Sequence, residues 1–228
     1  MKIQNPFKLL NKFEWTLWLT SVFVVLLSYA LSGFDGTANT LCSLVGVTAL
    51  IFVAKGHVLG MSLCIVFAAF YGVISLYFRY YGEMITYVGM SLPMSVFALV
   101  SWIKNPYKDT AEVKVAKLTK KQTLILWTST ALVTTAFYFI LGALDTPRLI
   151  VSTISVATSF AAVTFTYFRS PYYALAYAFN DVVLIVLWTF ASFSDTSYIP
   201  MVMCFVMFLV NDSYGFYNWK KMQKNQVE

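Results

Sequence analysis

The sequence contains few charged residues and few residues that bind metals or catalyse acid–base reactions. Only 11% of its 228 residues are charged, and it has a single histidine and three cysteines. His57 lacks the neighbouring ligands of a metal site, and no Gly-rich ATP-binding motif occurs. A serine protease acting in a membrane would need a Ser–His pair there, which the one histidine disfavours. We therefore predict no metal, no cofactor and no enzymatic activity.

Apolar residues are present in great excess. Hydrophobic residues make up 59% of the chain, against about 45–50% in soluble domains, and the mean hydropathy is +0.71. Stretches close to the ~20 residues that cross a bilayer recur along the chain. They predict an all-α polytopic membrane protein with eight transmembrane helices. The predicted spans are Trp15–Leu31, Thr37–Ala54, His57–Phe78, Met84–Ile103, Thr123–Leu144, Leu149–Phe168, Tyr172–Phe193 and Tyr198–Asn218.

The basic residues indicate topology rather than nucleic-acid binding, although the net charge is +6. With the N-terminus inside, 14 of the 16 Lys and Arg residues fall in cytoplasmic segments. The opposite side has only Arg79 and Arg148, beside acidic residues that include Asp35 and Asp195. The positive-inside rule then places both termini in the cytoplasm.

An internal repeat relates the second to fourth spans to the sixth to eighth. Trp102 and Trp219 each close a span just before a lysine, and they are 117 residues apart. Tyr71 and Trp188 have the same separation. Four crossings separate equivalent helices, so both units have the same orientation, as in the SWEET-like 3+1+3 plan of parallel-repeat transporters. The predicted segments are 1–33 (N-terminal segment and first helix), 34–104 (first three-helix bundle), 105–146 (Lys-rich, solvated cytoplasmic linker and connecting helix), 147–221 (second bundle) and 222–228 (tail).

Two Asn-Asp pairs lie inside the apolar spans, at Asn180-Asp181 and at Asn211-Asp212. A carboxylate near mid-membrane costs roughly 2.5–3.5 kcal/mol on insertion scales, so it persists mainly where it faces a cavity, a partner or a substrate. We expect the pairs to supply donors and acceptors to a small solute. The alternative is that the amides and acids hold the helices together, and for Asn211, Asp212 and Asn218 the two interpretations are evenly balanced.

Aromatic side chains near these pairs could contact a ring of the same solute. Trp188 and Tyr214 lie within two helical turns of the Asn residues, and Tyr71 and Tyr87 are the candidates in the first unit. Such rings attract a cationic heteroaromatic group. Pro93, inside the fourth span, removes one backbone hydrogen bond and is a predicted hinge.

Several segments resemble the PnuC-type vitamin transporters. They are NDVVLIVLW from Asn180 to Trp188, NDSYGFYNWKK from Asn211 to Lys221, YYGEM in the first half, and Trp102 before Lys104. The resemblance implies uptake of nicotinamide riboside by facilitated diffusion across a bacterial cytoplasmic membrane, with intracellular phosphorylation trapping the substrate. It also implies a SWEET-like fold and a homotrimer.

Other functions remain open at this point. Relatives of the same family carry thiamine or deoxynucleosides, which also pair a ring with hydroxyl groups. A proton-coupled carrier could use Asp181 or Asp212 as the titrating group. A receptor or structural protein that transports nothing is a third possibility, although no segment is long enough for a sizeable domain outside the membrane.

Overall fold

The computed structural model describes residues 5–34, 36–77, 81–108, 110–146, 148–193 and 198–226. Within these ranges the regular structure is helical, apart from two isolated bridges between short extended segments. A 3-10 helix, Pro6–Leu9, precedes the first long helix. The α-helices are α1 (Lys12–Leu31), α2 (Thr37–Ala54), α3 (Val58–Tyr77), α4 (Tyr81–Met84), α5 (Leu92–Ile103), α6 (Lys120–Ala143), α7 (Leu149–Tyr167), α8 (Tyr172–Ser192) and α9 (Ile199–Asn225).

Eight helices in the described ranges are long and apolar enough to cross a membrane, which confirms the predicted number. The observed α2 has the predicted bounds, and α9 continues seven residues beyond the predicted end at Asn218. Trp219 and then mainly polar residues follow Asn218, so the helix extends past the apolar stretch that the prediction used. Phe78 and Tyr80, and the flanking Asp35, Arg79 and Asp195, lie outside the described residues.

The fourth span is interrupted by a π-helical segment, Ile85–Ser91, which joins α4 to α5. Leu92 N–H donates to the carbonyl of Tyr87, five residues back. Pro93 follows immediately and has no N–H to continue the α-helical pattern. Wide turns of this kind inside helices frequently occur at functional sites.

The helices form two groups with matching neighbours. In one group α3 packs between α2 and α5, and in the other α8 packs between α7 and α9. Across the groups α2 contacts α9 and α5 contacts α7. The first helix of each group thus contacts the last helix of the other group. A two-fold relation between the units produces this pattern, which supports the predicted repeat.

Two tryptophans repeat the same contact in both halves. Trp102 Nε1–H donates to the carbonyl of Thr166 at 3.0 Å, and Trp219 Nε1–H donates to the carbonyl of Val53 at 2.8 Å. The two acceptors each lie one residue before the end of their helix, α7 and α2. The indole rings are fully buried and their centroids are 5.3 Å apart. Each unit is therefore fastened to the other by its closing tryptophan.

The described parts of the segment between the units, 105–108 and 110–119, are folded against the bundle, in contrast to the predicted solvated linker. Val113 is fully buried, and its N–H donates to the carbonyl of Gly56 at 2.8 Å. The N–H of Ala116 donates to the carbonyl of Arg169 at 2.9 Å. Gln226, near the end of α9, bonds the backbone of the same segment at Val115. Charge alone suggested solvation, whereas these backbone bonds and one buried apolar side chain fix the segment in place.

Candidate functional site

A cavity of about 90 Å³ lies among α2, α3, α5, α7, α8, α9 and the π-helical segment. The predicted site residues on its wall are Asn180, Asp181, Asp212 and Tyr87. Further polar and aromatic side chains complete it. They are Cys64, Phe67, Ser91, Ser95, Ser159, Thr166, Tyr177, Phe205 and Phe208.

The carboxyl groups of Asp181 and Asp212 meet at this cavity. They are 2% and 3% exposed and lie within hydrogen-bonding reach of each other. Asp181 Oδ2 has no hydrogen-bond partner among the described residues. Among the described residues, the ion pair is that of Lys55 with Glu14, so neither aspartate is paired with a basic side chain. A buried carboxylate oxygen without a partner is costly, and either a donor on a ligand or a proton shared with Asp212 would satisfy it.

Asn180 is held by the neighbouring helix. Its Oδ1 accepts hydrogen bonds from the hydroxyls of Ser155 (3.2 Å), Thr158 (2.8 Å) and Ser159 (3.0 Å), all on α7. These bonds fix the orientation of the amide, because only its oxygen can accept hydrogen bonds from the three hydroxyls. Asn180 therefore combines a structural contact with a position on the cavity wall.

The aromatic candidates are divided between two cavities. Tyr87 lines the central cavity, and its ring centroid is 4.3 Å from that of Tyr71. Tyr71 and Trp188 line a second, smaller cavity of about 20 Å³. Trp188 therefore lies away from Asp181, although it shares a helix face with Asn180. The two residues related by the 117-residue repeat, Tyr71 and Trp188, line one small cavity together.

Asn211 and Tyr214 face α1 and do not line either cavity. Asn211 Nδ2 donates to Ser21 Oγ at 2.9 Å, and Tyr214 O–H donates to Glu14 Oε1 at 2.6 Å. Asn218 Nδ2 likewise bonds the carbonyl of Ala54 at 2.8 Å. These contacts fit the helix-holding alternative for Asn211 and Asn218. They leave Asp212, on a different side of α9, as the member of that group at the cavity.

The predicted substrate contacts do not include Phe67 and Tyr177, which line the wall. Ser95, one of the few polar residues of the fourth span, also lines it. One signal was available for Ser95, since the 117-residue repeat places it opposite Asp212. Phe67 and Tyr177 could not be separated from the other aromatic residues of the chain. Within the described ranges, no three His, Cys, Asp or Glu residues cluster as a metal site would require.

The fold and the cavity define a class: a multi-pass membrane protein with a cavity among its helices whose largely apolar wall carries two buried aspartates. The sequence model of the nicotinamide mononucleotide transporter family matches residues 36–221. The chain belongs to this family, and the resemblance to PnuC-type transporters is confirmed.

Two known proteins are similar to the chain. The nicotinamide riboside transporter PnuC of Neisseria mucosa is 25% identical over 196 residues, which is 83% of this chain and 74% of that protein. The crystal structure of the vitamin B3 transporter PnuC superposes with a TM-score of 0.81 at 23% identity, and covers 95% of this chain and 94% of the other. The structural match shows that the two share a fold. These relatives bear the names of transporters, not of enzymes.

Proposed function

We propose that this chain carries nicotinamide riboside into the cell by facilitated diffusion. The observation that carries the proposal is the unpartnered Oδ2 of Asp181 in a cavity enclosed by membrane-spanning helices. Nicotinamide riboside combines a cationic ring with a ribose and a carboxamide. The two aspartates suit the cation and the hydroxyls, and Tyr87 and Phe67 offer faces to the ring.

Alternating access fits the size of the cavity. About 90 Å³ is far below the roughly 300–1,000 Å³ of sites that bury a small ligand. The surrounding helices must therefore separate to admit a nucleoside. We place the hinge at Pro93, where the π-helical segment meets α5.

The remaining features of the proposal follow the family resemblance and the charge pattern. Phosphorylation of the substrate inside the cell traps it, which makes a downhill carrier sufficient for uptake. Both termini lie in the cytoplasm of a bacterial cell, as the basic residues predict, and the chain assembles as a homotrimer. Of the predicted contacts, Asn180, Asp181, Asp212 and Tyr87 line the cavity where we place the substrate.

The test is a competition assay on purified protein with nicotinamide riboside, thiamine and thymidine. We expect nicotinamide riboside to bind best, and Asp181→Asn to weaken its binding by about 2 kcal/mol, roughly 30-fold in Kd, because a charged acceptor is lost. Preferred binding of thiamine or thymidine would assign a different substrate in the family. Unchanged affinity in the variant would remove Asp181 from the site.

Glu14→Ala is the matched control, since Glu14 is also a buried acid but already has partners. Its loss leaves Lys55 and Tyr214 without their acceptor. We expect a lower melting temperature, equivalent to about 3 kcal/mol, with an unchanged Kd. The two variants thus separate loss of folding from loss of binding.

A second candidate is a proton-coupled carrier, which the contact between Asp181 and Asp212 favours. Two ionised carboxylates at hydrogen-bonding distance in a buried cavity repel each other, so a proton shared between them relieves the repulsion. A cationic substrate would compete with that proton. Collapsing the proton gradient in proteoliposomes distinguishes the mechanisms: uniport continues down the substrate gradient, whereas coupled accumulation disappears.

A further inference from the structure

A groove of about 400 Å³ lies outside the proposed transport site. Its wall is built by the end of the linker at Lys117, the first turns of α6, the turn between α7 and α8, and the end of α9 at Lys220. None of these residues lines the cavity that we propose as the transport site. The groove lies on the side of the bundle that carries the linker, which the charge distribution predicts to be cytoplasmic.

The polar end of the groove is positively charged. Lys117 and Lys220 line it, and neither forms a salt bridge among the described residues. Lys120 and Lys121 are not on the wall but lie in the first turn of α6, close to it in sequence, and that turn has no acidic residue. A helix N-terminus carries a partial positive charge, so these lysines add to it instead of balancing it. The groove therefore favours an anion.

Aromatic side chains also line the groove, including Trp127 on the exposed surface of α6. Trp127 and Phe165 line it, with ring centroids 6.4 Å apart, and Tyr172 lies beneath Lys220 Nζ at 4.3 Å. Trp127 is 57% exposed, and α6 is the least buried of the eight membrane-spanning helices. An exposed tryptophan within the first three turns of such a helix is typical of the membrane interface.

We propose that this groove binds the anionic headgroup of a phospholipid, with the phosphate between Lys117 and Lys220 and an acyl chain along Trp127. Basic pockets between membrane helices commonly take such headgroups. A free phosphate would use the lysines but not the aromatic wall. The combination of both surfaces in one groove is what favours the lipid.

The test uses phosphatidylglycerol with brominated acyl chains, which quench tryptophan fluorescence on contact. The full chain is reconstituted in phosphatidylcholine that contains this lipid as a minor component. We expect it to quench more than brominated phosphatidylcholine does, and the excess to vanish in Trp127→Phe. Replacing both lysines, as Lys117→Gln with Lys220→Gln, should reduce the preference for phosphatidylglycerol by about tenfold or more.

A double variant of equal charge change, Lys8→Gln with Lys104→Gln, is the matched control, since both lysines are exposed and lie outside the groove. It should retain the excess quenching. Equal quenching by both headgroups, or equal loss in both double variants, would overturn the proposal. Displacement of the lipid by inorganic phosphate would also overturn the proposal, because the groove would then be a site for a soluble anion. Coverage of the groove by a second copy of the chain, which would exclude the lipid, would overturn it as well.

Discussion

At the scale of single residues, two kinds of buried acid are distinguished by their partners. Glu14 is fully buried and accepts hydrogen bonds from Asn11 N–H and Tyr214 O–H, besides the ion pair with Lys55 at 3.3 Å. Asp181 is buried to a similar degree, yet Oδ2 has no partner among the described residues. Because native structures leave few buried polar atoms unsatisfied, the partners of Glu14 fit a structural role, whereas Asp181 combines an unpartnered oxygen with a place on the cavity wall, where we propose that the substrate binds.

His57 gives a prediction of pH dependence outside the membrane spans. It is 6% exposed, and its Nδ1 accepts a hydrogen bond from Leu59 N–H at 3.1 Å at the start of α3. Burial lowers the pKa of His57 from 6.5. The unfolded chain therefore takes up a proton first, and acidification through 6.5 should reduce the free energy of unfolding. We expect the melting temperature of the wild type to fall over this range more than that of His57→Asn, which retains an acceptor.

Protonation of Glu112 should change the stability in the opposite direction from protonation of His57, and it serves as an internal check. Burial raises the pKa of Glu112, opposed by Lys55 and reinforced by Glu14. A raised pKa means that the folded protein binds the proton more tightly than the unfolded chain does. Lowering the pH through the range in which Glu112 takes up its proton therefore favours folding. Glu112 is present in both the wild type and His57→Asn, and the difference between their melting curves isolates the histidine. Parallel curves would show that His57 does not respond to pH in this way.

At the scale of elements, the sequence predicted the helices better than the connections. Long apolar stretches specify α2, α7 and α8 because each is limited by polar residues or a turn. The π-helical segment depends on a shift of backbone hydrogen bonding before Pro93, which has no counterpart in hydrophobicity. The linker packs through backbone bonds to Gly56 and Arg169, and these also lack a compositional signal.

The crossing of α2 and α3 depends on Gly60. A Cβ at this position would lie 2.4 Å from the backbone nitrogen of Val53 and 2.7 Å from the carbonyl carbon of Phe52. Because backbone atoms cannot move aside cheaply, Gly60→Ala should destabilise the protein by about 2 kcal/mol or more. Thermal melting in detergent measures the effect. Gly142→Ala is the control, since its Cβ would meet only Leu149 at an ordinary 3.6 Å, and equal melting temperatures for the two variants would contradict the prediction.

At the scale of the whole molecule, the two units build one cavity from unequal parts. The second unit supplies Asn180, Asp181 and Asp212, whereas the first supplies Ser95 and aromatic residues such as Phe67. The inequality was predictable, because the second unit contains both Asn-Asp pairs. The matching contacts of Trp102 and Trp219 hold the units together. The polar side chains of the cavity come mainly from positions at which the two units differ.

The sequence could not determine which face of α9 meets the cavity. Asn211, Asp212 and Tyr214 are close in sequence, but only Asp212 of the three lines it, because α1 covers the other two. The position of α1 depends on long-range packing and on the contact between Glu14 and Tyr214. Periodicity places residues on a helix face but does not identify the neighbour of that face.

The most direct test of this account is an experimental structure of the protein with nicotinamide riboside bound. We expect the substrate in a widened central cavity, with a donor or the cationic ring next to Oδ2 of Asp181 and with Asp212 in contact. Substrate bound elsewhere, with the cavity still closed around both aspartates, would contradict the assignment of this cavity as the transport site.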